Sequence, residues 1–230
     1  MKRLTLILLL LTCCATVFAG ESQLQKATNV VNEIMGTPDK GIPRSLLDNA
    51  VCVGVVPSEV KLAWVFGGTY GRGLLVCRKG GNGAWGAPSM FSLGGLSVGW
   101  QGGAKATDVV FLVMNPEGMK KLVQDSVKLG TELSVTAGPV GRSAEGATDL
   151  QLHAEILSYS RSRGLFGGVS FDGAVYKQDR ANNQKLYGRR VIAKEILLDG
   201  ATPTPSAAQS LDNALTKYSP PDGRPLGHRL

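Results

Sequence analysis

Apolar residues recur at helical spacing from Ser22 to Met35. Leu24, Ala27, Val30, Val31, Ile34 and Met35 fall on one side, and Gln25, Asn29, Asn32 and Glu33 on the other. This is the pattern of an amphipathic helix, and Gly36 and Pro38 end it. A short helix is predicted over Pro43–Ala50, with Pro43 at its first position. From Val51 the texture changes to strands. Ala50–Val56, Leu62–Phe66, Arg72–Arg78, Trp85–Leu93 and Leu96–Gly102 are apolar or β-branched runs. They are separated by Pro57-Ser58, Gly67-Gly68, Gly80–Gly83 and Gly94-Gly95, which read as turns. Spacing this short leaves no room for crossover helices, so the sheet is expected to be largely antiparallel. Asp108–Met114 reads as a central strand.

Asn115-Pro116-Glu117 signals a helix start. Met119, Leu122, Val123 and Val127 supply its apolar face and Gly130 its stop. Leu133–Ala137, Leu150–Tyr159 and Leu165–Tyr176 return to strand texture, with Ser160–Gly164 as a polar turn. Asn182–Gly188 reads as a loop or short helix and Ala193–Leu198 as a helical turn. Ala201–Ser206 is a linker, and Ser206–Tyr218 a last amphipathic helix through Ala207, Leu211, Ala214 and Leu215. Ser219–Leu230, rich in Pro and Gly, reads as a disordered tail. The fold class expected is α+β: one domain with a largely antiparallel, curved or barrel-like sheet and N-terminal, middle and C-terminal helices.

Composition sharpens this picture. Glycine accounts for 30 of the 230 residues, close to twice its usual share of about 7%. With no Gly-X-Y period, collagen is excluded, and tight turns, bulges and close-packed strands are favoured. The formal charge of +7 favours anionic partners. No Lys/Arg run reaches the length of a nuclear signal or basic tail, and no nucleic-acid partner is expected.

Lys2-Arg3, the apolar stretch to Leu11 and Val17-Phe18-Ala19 have the layout of a secretory signal peptide cut after Ala19. The run is short of the roughly 20 residues a membrane span needs. Cys13 and Cys14 follow the leucines, but Thr12 or Cys13 precedes them where a lipobox wants a small residue, so lipidation is the lesser reading. The expected organisation is a leader over 1–19, a folded domain over 20–199, and a linker, short helix and tail over 200–230. The protein is expected to be exported, periplasmic or outer-membrane associated in a Gram-negative bacterium. Cys52 and Cys77 then remain. Their spacing suits no zinc site. As cross-strand neighbours in an oxidising compartment they would form a disulfide, the alternative being two buried thiols.

Candidate chemistry is sparse. Gly95–Gly99 matches GxSxG, with Ser97 as the nucleophile, but Trp100–Gly103 is poor material for the helix that must follow. The histidines are His153 and His228, the latter in the tail. A serine hydrolase using Ser97 and His153 is therefore a weak alternative. Gly67–Gly73 and Gly99–Gly103 fit neither nucleotide-binding glycine motif. No metal-ligand spacing occurs, and no catalytic residues, metal or cofactor are expected. The basic residues are more informative. Arg161-Ser162-Arg163 directly precedes Leu165-Phe166, so two guanidiniums could grip phosphate while the apolar pair enters a bilayer surface. Ser160 adds a hydroxyl. The alternative is a solvated turn whose Leu165 and Phe166 belong to the core. Lys26 on the first helix and Lys120, Lys121 and Lys128 near the middle one offer further positive charge.

These residues also carry a resemblance. Tyr70-Gly71-Arg72-Gly73, Trp85 with Ala87-Pro88, Thr107-Asp108, Leu129-Gly130, Ala137–Arg142 and Ile156–Gly168 appear in the order that they take in the SYLF domain family, over roughly Thr28 to Leu198. The chain is most similar to the secreted bacterial branch. The resemblance implies a single α+β domain that binds lipid without enzymatic activity. Eukaryotic relatives bind phosphoinositides, and some bind or bundle actin. With a leader and no SH3 or FYVE module in these residues, what transfers is binding to anionic lipid or a membrane surface. An envelope protein partner is the other option. Arg161 and Arg163 occupy the matching motif, and Arg72 a second one.

Overall fold

The structure, a computed structural model, describes residues 18–36, 41–62, 67–97, 105–140, 154–162, 165–168, 173–200 and 202–221. Helix α1 (Phe18–Met35) and the short α2 (Arg44–Asn49) lead into a sheet of nine strands among the described residues. These are β1 (Cys52–Leu62), β2 (Gly67–Cys77), β3 (Ser89–Ser97), β4 (Lys105–Val113), β5 (Ser126–Lys128), β6 (Val135–Ala137), β7 (Ile156–Ser162), β8 (Leu165–Gly168) and β9 (Val175–Gln178). Helix α3 (Pro116–Leu122) follows β4. Helices α4 (Arg180–Tyr187), α5 (Ala193–Leu197) and α6 (Gln209–Tyr218) follow β9. The sheet runs β5-β9-β3-β2-β1-β4-β7 and curls into a half-barrel. Its last strand, β7, is paired along one side by β6 at Ile156–Ser158 and by β8 at Tyr159–Ser162. The β6–β7 pair is parallel and every other strand pair antiparallel. The expected α+β class and mostly antiparallel curved sheet are thus what the chain forms.

Both faces of the sheet are covered, which is why its strands read as nearly continuous apolar runs. On one face α1 and α6 pack together over Val53, Val55, Leu74, Val76, Val110 and Leu112, burying Leu24, Ala27, Val31, Leu211 and Leu215. On the other, Phe91 stacks on Tyr176 with ring centroids 4.6 Å apart and tilts against Phe111 at 5.6 Å. Leu122 of α3 and Ile196 of α5 close that side. Glycine makes room for these rings. A β-carbon on Gly54 would fall 2.1 Å from Phe111 Cζ, and one on Gly73 2.6 Å from Phe91 Cζ.

Several elements differ from the sequence expectations. Pro57-Ser58 is not a turn. β1 continues through it, with register shifts on both sides between Val55 and Val60. A bulge is where a residue without an N–H fits inside a strand. Gly94-Gly95 likewise does not break β3, because Gly94 and Gly95 pair with Tyr70 and Thr69. The middle helix ends at Leu122, and Val127 lies in β5 rather than on a helical face. Val127 sits four residues after Val123 and so imitates helical spacing. Pairing of Ser126–Lys128 with Val175–Lys177 of β9 decides otherwise. Ser160–Ser162 belongs to β7, not to a turn. The strand expected over Leu62–Phe66 and the expected leader fall partly outside the described residues, and Leu150–His153 wholly so.

Ser219, expected to open a flexible tail, is fully buried. Its carbonyl accepts from Arg78 Nη2 at 3.2 Å and Trp85 Nε1 at 3.0 Å. Its hydroxyl is bonded to Asp48 and Arg78. Arg78 is only 2% exposed and stacks 4.0 Å from the Trp85 ring centroid, while donating to the carbonyls of Ala50 and Gly83. Arg44 donates to the carbonyl of Tyr218 at 3.0 Å. The carbonyls of Tyr218 and Ser219 at the C-terminal end of α6, which have no partner within a helix, are thereby satisfied.

Candidate lipid-binding site

The β7–β8 hairpin carries the motif singled out in the sequence. Register pairs Arg161 with Phe166 and Ser162 with Leu165, leaving Arg163 and Gly164 as the connection. Arg163 lies outside the described residues. Leu165 and Phe166 are strand residues of β8. Ser160 is half-buried and opposite Val109 of β4 and Gly167 of β8.

Arg161 has a definite environment. It shares a face with Tyr159 and Leu157, toward α1, and its register partner on β4 is Asp108. Its Nε and Nη2 both donate to Asp108 Oδ2, at 3.2 and 3.0 Å. Its Nη1 pairs with Glu33 in the last turn of α1. Burial opposes the guanidinium's charge, but hydrogen bonds and attraction from Asp108 and Glu33 outweigh it, so its pKa is raised. Arg161 therefore joins the sheet to α1. The sequence did not single out Asp108 or Glu33 as its partners. The i, i+3 and i, i+4 spacing that flags ion pairs on one helix has no counterpart across elements 53 and 128 residues away along the chain.

The other predicted residues are dispersed. Arg72 is exposed on β2, where its Nε donates to the Tyr70 phenol at 3.0 Å. That bond and the phenol's charge raise its pKa. Its backbone carbonyl accepts from Gln23 of α1. Lys26 is exposed on α1. Lys120 pairs with Glu117, and Lys121 with Glu155 at 2.7 Å. Ser97 is the last residue of β3, opposite Gly67, while His153 lies outside the described residues. Cys52 and Cys77 are register partners on β1 and β2, with sulfurs 2.07 Å apart.

The strand registers bring several of these positions to one end of the sheet. β1, β3 and β7 finish there, and β2, β4 and β8 begin there. Gly67 pairs with Ser97, and Lys61 with Lys105, close to the Asp108–Arg161 pair. Two lysines thus occupy one register position on β1 and β4, beside the hairpin that holds Arg161. Among the described residues, no helix is long and apolar enough to cross a membrane, and no group of His, Cys, Asp or Glu is placed to hold a metal.

Two of the motifs that carried the resemblance meet in space. Ala137 pairs with Ser158, Gly138 N–H donates to the Ser158 carbonyl at 2.9 Å, and Gly138 packs on Tyr159. Residues 94–218 match the family described as Ysc84, Las17-binding protein actin regulator. The chain belongs to the SYLF domain family. Among its relatives is an SH3 domain-containing protein of Schizosaccharomyces pombe, 38% identical over 177 residues, 76% of this chain and 40% of the relative. LAS seventeen-binding protein 3 of Saccharomyces cerevisiae is 32% identical over 215 residues, 88% of this chain and 46% of the relative. The human SH3 domain-containing YSC84-like protein 1 is 30% identical over 205 residues, 86% and 59% respectively. The SYLF chain thus spans 40 to 59% of the length of these relatives. Their names describe binding and regulatory proteins rather than enzymes.

Proposed function

We propose that this SYLF domain is a non-catalytic, peripheral binder of anionic phospholipid, exported to the bacterial cell envelope, and that the end of the sheet holding the β7–β8 hairpin is its membrane contact. The observation that carries this reading is the convergence of Lys61, Lys105, Arg161 and Ser162 at that one end, where Leu165 and Phe166 open β8. Basic residues near an anionic surface each contribute about 1 kcal/mol at low salt, and apolar groups add insertion energy in proportion to area. In the sequence, the segments joining β1 to β2 and β3 to β4 carry Trp64, Phe66 and Trp100, residue types suited to the head-group layer. Those three lie outside the described residues. Lys26, exposed on α1, and Arg72, exposed on β2, add positive charge elsewhere on the surface.

Flotation of the protein with phosphatidylglycerol-containing vesicles, against phosphatidylcholine alone, tests the reading. Selective flotation that fades with salt is expected, and replacing Lys61 and Lys105 with alanine weakens it roughly thirty-fold by the same per-charge figure. Equal recovery from both vesicle types overturns it. A second reading, an envelope protein partner, is favoured by the relatives named for binding Las17. It predicts no flotation and capture of a discrete partner. A serine-directed probe is expected to leave Ser97 unlabelled.

A further inference from the structure

Arg161 is held from two sides that differ in accessibility. Asp108, with 16% of its side chain exposed, takes the Nε–Nη2 edge inside the sheet. Glu33, with 52% exposed, takes Nη1 from the solvent side. The Asp108 contact is built into the β4–β7 register. The Glu33 contact depends on α1 lying where it does. With both carboxylates in place the trio carries a net negative charge, so an approaching anion meets repulsion rather than a free guanidinium. An anionic oxygen arriving from water reaches Nη1 by taking the place of the Glu33 carboxylate, which has the same donor requirements as a phosphate oxygen.

We propose that Glu33 is a resident competitor at this position. An anionic lipid head group displaces it from Arg161, and the displacement removes the polar tie between the last turn of α1 and the sheet, leaving that turn held by the burial of Val30, Val31 and Ile34 alone. This rests on the lipid reading above and adds a regulation to it: the free protein holds its own arginine occupied, and binding couples head-group capture to loosening of Val30–Met35. Any protein or cation that drew Glu33 away from Arg161 would raise membrane affinity by the same route.

The test compares Glu33→Gln with Glu117→Gln in flotation on phosphatidylglycerol-containing vesicles. The two substitutions change net charge equally. Glu117 is exposed in α3, which follows the opposite end of β4 and pairs with Lys120. Glu33→Gln is expected to raise partitioning about five-fold, the weight of one charge near an anionic surface, and Glu117→Gln to leave it unchanged. Adding Arg161→Ala to Glu33→Gln abolishes the gain. Independently of any substitution, hydrogen exchange over Val30–Met35 in the wild-type protein is expected to speed up when these vesicles are added and not with phosphatidylcholine. If wild type floats but Glu33→Gln matches it and exchange is unaltered, the competitor role is overturned and the lipid reading stands. If neither protein floats, both fall.

Discussion

Gly138 lies flat against the ring of Tyr159: a β-carbon added to it would fall 2.1 Å from Cζ and 2.4 Å from the phenolic oxygen. Gly168 in turn lies against the Gly138 backbone, its own added β-carbon falling 2.4 Å from that carbonyl oxygen. Two of the motifs that carry the family resemblance are therefore a packing device that seats β6 and β8 along one side of β7. Gly138→Ala is expected to cost about 1–3 kcal/mol through overpacking, read as a lower urea midpoint at unchanged slope. Combined with Tyr159→Leu, the two costs are expected to be less than additive, because the second change removes the ring that the first one hits. Strict additivity would count against the contact.

Arg78 anchors the end of α6. Arg78→Ala would leave the buried carbonyls of Ala50 and Ser219 and the half-buried one of Gly83 without their charged donor, and a loss of about 3–5 kcal/mol is expected. Arg78→Lys is expected to recover little, since one ammonium cannot reach all of these acceptors and stack on Trp85. Thermal unfolding followed by Trp85 fluorescence reads both.

Cys52 and Cys77, 25 residues apart in sequence, are expected to be oxidised in exported protein. Alkylation without reductant followed by intact-mass measurement should find no label on either. Closing a loop of this length is worth about 3.5 kcal/mol in the chain-entropy model. Cys52→Ala/Cys77→Ala should therefore unfold at lower denaturant than wild type, while reductant should move only the wild-type curve.

Glu155 gives the fold an acid-sensitive tie. Burial raises its pKa, but the Lys121 hydrogen bond, the Ser134 N–H at 2.8 Å and the lysine's charge outweigh that and hold it below its ordinary 4.5. A carboxyl with a depressed folded value adds stability at pH above the unfolded value, and this is lost as pH falls through the folded one. Glu155→Gln is expected to cost about 1 kcal/mol at neutral pH. The gap to wild type should narrow below about pH 4.5. A gap that stays constant to pH 3 would contradict the pairing.

Local pattern carried much of this molecule. The spacing of Leu24, Ala27, Val31 and Ile34 predicts α1, and Asn115-Pro116 predicts the start of α3, where Asn115 Oδ1 accepts from Gly118 N–H at 2.8 Å. Turn residues were the less reliable guide. Pro57 and Gly94-Gly95 look like breaks, yet sit inside strands whose neighbours supply the pairing that propensity lacks. β5 was hidden because three residues cannot establish a period of two against a plausible period of 3.6. At the candidate site, the hairpin residues stood out by composition. Their partners Asp108 and Glu33 did not, because what joins them is sheet register and helix docking, neither of which leaves a mark on spacing.

The grip of Arg78 and Trp85 on Ser219 ties positions 141 and 134 residues apart along the chain. Until Ser219 has been synthesised, the sheet face under α1 lacks the helix that shares its cover, and Arg78 Nη2 lacks its acceptors on Ser219. Sealing of this face therefore waits on α6 and Ser219, which are made well after the strands they cover. Strands made early thus depend for their cover on a helix made late.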